Sequence, residues 1–171
     1  MVIKYIGSKR TLVDVIGRIA DAVDATEAVD LFTGTTRVAQ ELKSRGKFVT
    51  AVDIAAYSEV IADCYIVSDP AAINMNDLAH AIRELSALPG VPGYFTQTFC
   101  IESRYCQPKN GARVDAIRTH LETHYRNTPL FPILLTSLME AADRVDSTAG
   151  VQMAYLKQWA PRANNDLELR I

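Results

Sequence analysis

A carboxylate at the end of an apolar run, about twenty residues beyond a glycine turn, can accept hydrogen bonds from the hydroxyls of a ribose. Asp30-Leu31-Phe32-Thr33-Gly34-Thr35-Thr36, followed by Asp53, has that layout. Gly34 supplies the small residue needed where backbone passes close to a ligand. The helix expected to begin near Thr36 turns its unpaired N–H groups toward the same place. A lone turn of this kind is common by chance, and Asp53 alone could be an ordinary helix cap. Strand context, spacing and Asp53 together favour a ligand-binding edge.

The elements that must position these residues are legible in the periodicity. Ala28 to Phe32 and Phe48 to Val52 are short apolar runs bounded by polar residues, as buried strands are. Between them Val38, Ala39 and Leu42 fall at helical spacing over 36–45, and Gly46 is a natural stop. This β-α-β unit requires parallel strands. Positions 34–39 read Gly-Thr-Thr-Arg-Val-Ala, so the dinucleotide fingerprint is not met, and no Gly-Lys-Ser/Thr occurs. That argues against NAD and ATP and leaves S-adenosylmethionine as the ribose-bearing ligand.

The chain has 171 residues and a net charge of -2, so any nucleic-acid contact must come from a local basic patch. Three cysteines leave an odd thiol and no metal-ligand pair, as expected of a reduced, intracellular protein. No signal peptide or membrane span is read, and the expected location is cytoplasmic. Leu12, Val15, Ile16, Ile19 and Val23 predict an amphipathic helix over 11–23, with Thr11 and Asp14 placed as in a capping box. Further helices are expected at 57–67, 76–88, 112–126, 129–145 and 151–160. The loop Leu88-Pro89-Gly90-Val91-Pro92-Gly93 separates a cofactor-binding α/β portion, 1–88, from a helical portion, 94–160, with a polar, frayed tail at 161–171. Two convincing strands make this part of a doubly wound, Rossmann-like sheet with a helical insertion.

Three elements carry a resemblance. Lys4-Tyr5-Ile6-Gly7-Ser8-Lys9, then Asp30-Leu31-Phe32-Thr33-Gly34-Thr35, then Val52-Asp53-Ile54 resemble the N-terminal motifs of the Dam-like DNA adenine-N6 methyltransferases. The resemblance implies S-adenosylmethionine as cofactor and double-stranded DNA as partner. It places Tyr5 and Lys9 beside the methionine end of the cofactor, and Phe32 and Gly34 under its methionine and ribose. Asp53 takes the ribose hydroxyls and Ile54 flanks the adenine, with Asp30 on the same edge. The similarity is clear over residues 1–67 and extends, more weakly, from Tyr94 to Trp159, where the family carries its target-recognition insert.

Two departures bear on activity. The second glycine of the family's turn is Thr36, and the chain contains no Asp/Asn-Pro-Pro-Tyr/Phe. In the family that tetrapeptide engages the target adenine. Asp69-Pro70 is followed here by Ala71-Ala72. The expectation is a site-specific adenine methyltransferase of the restriction–modification kind, represented by its N-terminal portion and inactive alone. A C-terminal half or a second chain would complete the sheet. The alternatives are a non-catalytic DNA-binding remnant or split subunit, and a methyltransferase for a non-DNA substrate.

Arg104, Gln107, Lys109, Asn110 and Arg113, among aromatics from Tyr94 to Tyr105, read either as a DNA-contacting surface or as a solvated helix face. His120 and His124 share a helix face, but Glu122 is misplaced for a zincin and no third ligand is evident, so no metal is expected.

Overall fold

The computed structural model describes residues 3, 9, 11–149 and 154–171. The chain divides into two compact units, Tyr5–Pro70 and Ala71–Ile171.

The first unit is a β-α-β core with helices before and after it. Helix α1 is Val13–Ala22, strand β1 Glu27–Asp30, helix α2 Arg37–Ser44, strand β2 Phe48–Ala51 and helix α3 Ala56–Ala62, which continues as a π-helical turn Asp63–Val67. The strands pair in parallel with Glu27 opposite Phe48 and Asp30 opposite Ala51. Helix α2 packs on both strands and α1 packs on α2. The architecture is therefore mixed α/β with a two-stranded parallel sheet among the described residues.

The sequence predicts α1 correctly but not its surroundings. Its N-cap is Leu12 with no side-chain cap bond. Asp14 pairs instead with Arg18 and Arg45, so the expected capping box is not formed. Arg45 also pairs with Asp21 and Glu41 and lies across Gly17, where a Cβ would meet its Nε at 2.2 Å. The face of α1 turned toward α2 is thus the one bearing Gly17, and Leu12, Val15, Ile19 and Val23 are exposed.

The second unit is helical. Helix α4 is Met75–Ala87, α5 Pro108–His124 and α6 Phe131–Arg144, with a π-helical turn at Thr96–Ile101 between α4 and α5. The Oδ1 of Asn74 accepts the amides of Asn76 and Asp77, capping α4. Leu78, Leu85, Ile117, Leu121, Leu134 and Leu138 are buried between these helices. Asp115 of α5 accepts the amides of Gly93, Phe95 and Thr96 and the Thr96 hydroxyl, which fixes the start of the π-helical segment. These bonds hold the Asp115 carboxyl below its ordinary pKa although burial opposes them. Cys100 and Cys106 are buried free thiols.

Two expectations are corrected beyond α6. Residues 154–160 form no helix. Residues 147–149 run instead against 154–156, with the Ala149 amide on the Ala154 carbonyl at 3.2 Å and the Leu156 amide on Ser147 at 2.9 Å. The base is braced by buried Asp146, which takes Arg162 Nε at 2.8 Å, Arg162 Nη2 at 2.6 Å and the Thr148 hydroxyl at 2.8 Å. The segment expected to fray is ordered: after a 3₁₀ turn, Pro161–Asn164, the backbone extends with Leu167 and Leu169 buried and Glu168 and Arg170 exposed. Local polarity suggests fraying, but partners far away in sequence fix it. Among the described residues no helix is long and apolar enough to cross a membrane.

Candidate cofactor edge and recognition surface

The turn after β1 is built by its own side chains. The Val52 amide donates to the Asp30 carbonyl at 2.8 Å and the Thr33 amide to the Val52 carbonyl at 3.1 Å, which extends the strand pairing past the ends of β1 and β2. The Thr33 hydroxyl donates to Asp30 Oδ2 at 2.9 Å. The chain then reverses through Gly34, at φ +51°, and Thr36, at φ +58°. Thr33 to Thr36 are all buried.

Asp53 closes the arrangement across 19 positions of sequence. Its Oδ2 accepts the Gly34 amide at 2.8 Å, and its Oδ1 accepts the Ala55 amide at 3.0 Å. The Ala55 and Gly34 amides hold the carboxyl below its usual pKa against a smaller opposing effect of burial. Asp53 is therefore ionised at neutral pH. Each carboxylate oxygen accepts one of these amides, and the Ile54 amide and the Ser58 side chain act in the same direction more weakly. The structure thus joins two residues that the sequence places in one site, Gly34 and Asp53, through a direct hydrogen bond.

Thr36 is where sequence reasoning sees only a missing glycine. The buried threonine takes the left-handed conformation that a glycine would adopt without strain. Its hydroxyl does not cap an amide of α2; it accepts the Gln40 amide group at 2.8 Å. The turn keeps its shape and the N-terminal amides of α2 receive no side-chain cap. Phe32 and Ile54 project outward beside this edge, Phe32 with 81% of its surface exposed. Lys9 is exposed, and Tyr5 lies outside the described residues. An ionised carboxylate, an uncapped helix start and exposed apolar side chains suit a ribose-bearing ligand with apolar ends. Thr33, inside the quoted motif, and Gln40, outside it, are supporting residues; their signal is a hydroxyl or amide spaced three or four residues from a turn residue.

In the second unit the expected DNA-facing residues have partners within the chain. Arg104 donates to the Lys157 carbonyl at 2.7 Å and lies 4.8 Å from the Trp159 ring centroid. Gln107 Nε2 donates to Asn164 Oδ1 at 2.7 Å. Lys109 Nζ meets the Asn164 carbonyl at 2.9 Å and Asp166 at 2.6 Å. Asn110 is 1% exposed, donating to the Asn165 carbonyl at 2.9 Å and accepting the Leu167 amide at 3.0 Å. Both ends of its amide are thus spent on the extended segment, which is how that segment escapes fraying. Arg113 is half-buried. His120 and His124 stack at 4.0 Å, and Glu84 takes His120 at 2.9 Å and the Tyr125 hydroxyl at 2.5 Å. Burial, aided by Glu84, pushes the Tyr125 phenol up to about 12.

Comparison with known proteins bears directly on this geometry. Residues 5–171 match the family described as D12 class N6 adenine-specific DNA methyltransferase. The chain is similar to the Type II methyltransferase M.NlaIII of Neisseria lactamica, 31% identical over 178 residues, covering 96% of this chain and 52% of that protein. It is 31% identical over 187 residues to the modification methylase StsI of Streptococcus sanguinis, covering 98% of this chain and 28% of the relative. It is 30% identical over 169 residues to the Type II methyltransferase M.CviAII of Paramecium bursaria Chlorella virus 1, covering 94% and 51%. The chain therefore spans about half the length of two of these relatives, and less of the third. No solved structure matches it significantly.

Proposed function

Because this chain belongs to the D12 class of N6 adenine-specific DNA methyltransferases, we propose that it forms the cofactor-binding and DNA-recognition portion of a site-specific enzyme that methylates adenine in DNA. The observation carrying this reading is the Asp53–Gly34 bond, which unites the two motif residues into one hydroxyl-accepting turn. S-adenosylmethionine, the methyl donor implied by the family, supplies a methyl group on a positively charged sulfur. Asp53, held ionised by the Ala55 and Gly34 amides, accepts the ribose hydroxyls. Gly34 lets the backbone approach the ligand, Phe32 and Ile54 cover its apolar parts, and Asp30 fixes the turn through Thr33. Tyr5 and Lys9 are assigned to its methionine end by motif alone.

The second unit is assigned to DNA. Arg104, Gln107, Lys109 and Arg113 keep some exposure and serve phosphates and base edges, and Asn110 holds the segment that Gln107 and Lys109 also touch. Transfer itself needs an Asp/Asn-Pro-Pro-Tyr/Phe, which the chain lacks, so residues 1–171 alone are expected to methylate nothing.

Calorimetric titration of S-adenosylmethionine into the full chain tests the cofactor site. Binding is expected, with a loss of about tenfold or more in Asp53→Ala, the value of hydrogen bonds to a charged group. Unchanged affinity would remove Asp53 from the site. The absent tetrapeptide also favours a second reading, a DNA-binding subunit without chemistry of its own. Cofactor-independent, salt-dependent DNA binding would select that reading.

A further inference from the structure

Two of the three cysteines meet inside the second unit. Cys100 lies in the π-helical turn Thr96–Ile101, and Cys106 stands just before Gln107, the N-cap of α5. They are six positions apart, and the chain reverses between them, with the Tyr105 amide on the Phe99 carbonyl at 3.0 Å. The residue after each of these is a cysteine, and the two thiols hydrogen-bond to each other. Both residues are buried, at 5% and 3% exposure.

The fold holds each side of the pair. Cys106 pairs with Asp146 in an antiparallel bridge, and the Ser147 amide donates to the Tyr105 carbonyl at 2.7 Å. On the other side Asp115 accepts the amides of Phe95 and Thr96 at the head of the turn, and Cys100 Sγ lies 3.9 Å from the Phe95 carbonyl. Gly111, in the first turn of α5, makes the room: a Cβ there would meet Cys100 Sγ at 2.4 Å. Glycine weakens a helix interior relative to alanine, and the sulfur accounts for its presence here. The Cys106 S–H, donating to the Cys100 sulfur, holds the Cys100 thiol below its usual range against burial and the Asp115 carboxylate. The same contact, with burial, pushes the Cys106 thiol up. Cys100 therefore ionises first and is the nucleophile of the pair. Among the described residues no three His, Cys, Asp or Glu side chains group around a metal position, which leaves redox chemistry as the use of two touching thiols.

We propose that Cys100 and Cys106 form a redox modification site, which a small two-electron oxidant of the peroxide class converts to an internal disulfide. Cys100 Sγ attacks one oxygen of hydrogen peroxide, the O–O bond breaks, and the thiol becomes a sulfenic acid with release of water. Cys106 Sγ then attacks the Cys100 sulfur, the S–O bond breaks, and the Cys106 proton leaves with the hydroxyl as a second water. The two thiols lose two electrons and the peroxide is reduced to two waters. Thiols this covered admit a small neutral oxidant and exclude a protein disulfide, and the exposed Ile101 and Glu102 adjoin Cys100. The bond closes a loop that carries Arg104, whose guanidinium holds the Lys157 carbonyl. The site is independent of the methyltransferase reading.

The test treats the folded full chain with equimolar hydrogen peroxide, blocks the remaining thiols with N-ethylmaleimide in denaturant and digests with trypsin. Arg104 lies between the two cysteines, so the bond appears in mass spectrometry as peptides 84–104 and 105–109 joined, separating on reduction. That linked pair is expected, and it is expected unchanged in Cys64→Ser. Alkylated, unlinked peptides, or sulfinic acids at Cys100 and Cys106 in place of the link, overturn the proposal. So does a bond from either cysteine to Cys64 or to a second copy of the chain. The wild-type linkage needs no variant. The order of attack is read with dimedone, which traps sulfenic acids: Cys106→Ser should be labelled at Cys100 about tenfold faster than Cys100→Ser is at Cys106. Equal or reversed rates overturn Cys100 as the nucleophile.

Discussion

Residues 5–70 and 71–171 differ in where their apolar side chains go. In the second unit the helices enclose a core, with Leu85, Ile117, Leu121 and Leu134 completely buried, although Met75, Tyr94 and Ile101 stay exposed. In the first, Ile61 and Leu42 are buried, while Val29, Leu31, Phe32, Phe48 and the α1 stripe face outward. Helix periodicity does not explain the contrast, because both parts carry helices with apolar faces. Topology does. Three helices can enclose a core among themselves, but two parallel strands and their crossover cover only one face of a sheet. The helices of the second unit enclose a core among themselves, whereas the α/β unit leaves Val29 and Phe48 exposed on one sheet face.

The contrast predicts unequal responses to truncation. Leu134→Ala should cost about 2–5 kcal/mol, as full burial with a residual cavity implies, whereas Phe48→Ala in the isolated chain should stay within about 0.5 kcal/mol. Denaturant titration of the two variants compares them directly, and equal losses would break the distinction. Asn110→Ala should cost about 1–3 kcal/mol, because the Asn165 carbonyl and Leu167 amide lose their partner in a buried setting. Hydrogen exchange should show the Leu167 amide losing protection while helix α4 keeps its own.

At the turn, Thr36→Gly should be less destabilising than Thr36→Ala by about 1 kcal/mol. Both lose the Gln40 bond, but only glycine relieves the left-handed strain. The smallest effect is one of pH. The Ala55 and Gly34 amides hold the folded Asp53 carboxyl below the ordinary aspartate value. Its contribution is therefore fully present above that value and is lost as pH falls through the lower folded value. Asp53→Asn should flatten the acid limb of stability in this window, and an identical limb in the variant would dismiss the bonds to Gly34 and Ala55 as stabilising.

Much of the site was legible without coordinates because its signals are local. A strand, a glycine turn, a helix start and an acid after the next strand occupy 24 consecutive positions, Asp30 to Asp53, and the structure joins them in that order. The shape of the turn was less legible, since nothing in a threonine announces that it will accept a glycine's backbone conformation. The extended segment was misread for the opposite reason. Asn164-Asn165-Asp166 is polar, yet it is fixed by Gln107, Lys109 and Asn110, 55 to 57 positions away.

The sequence by itself determined the family, the order of the elements, the parallel strand pair and the missing tetrapeptide, because periodicity and motif spacing are properties of neighbours along the chain. It also determined that α1 has an apolar face. Only the tertiary structure decided that this face is open, that Asn110 is buried against the extended segment and that Thr36 takes a left-handed conformation. Burial is set by whatever packs from elsewhere, and for α1, β1 and β2 the described residues supply no such cover.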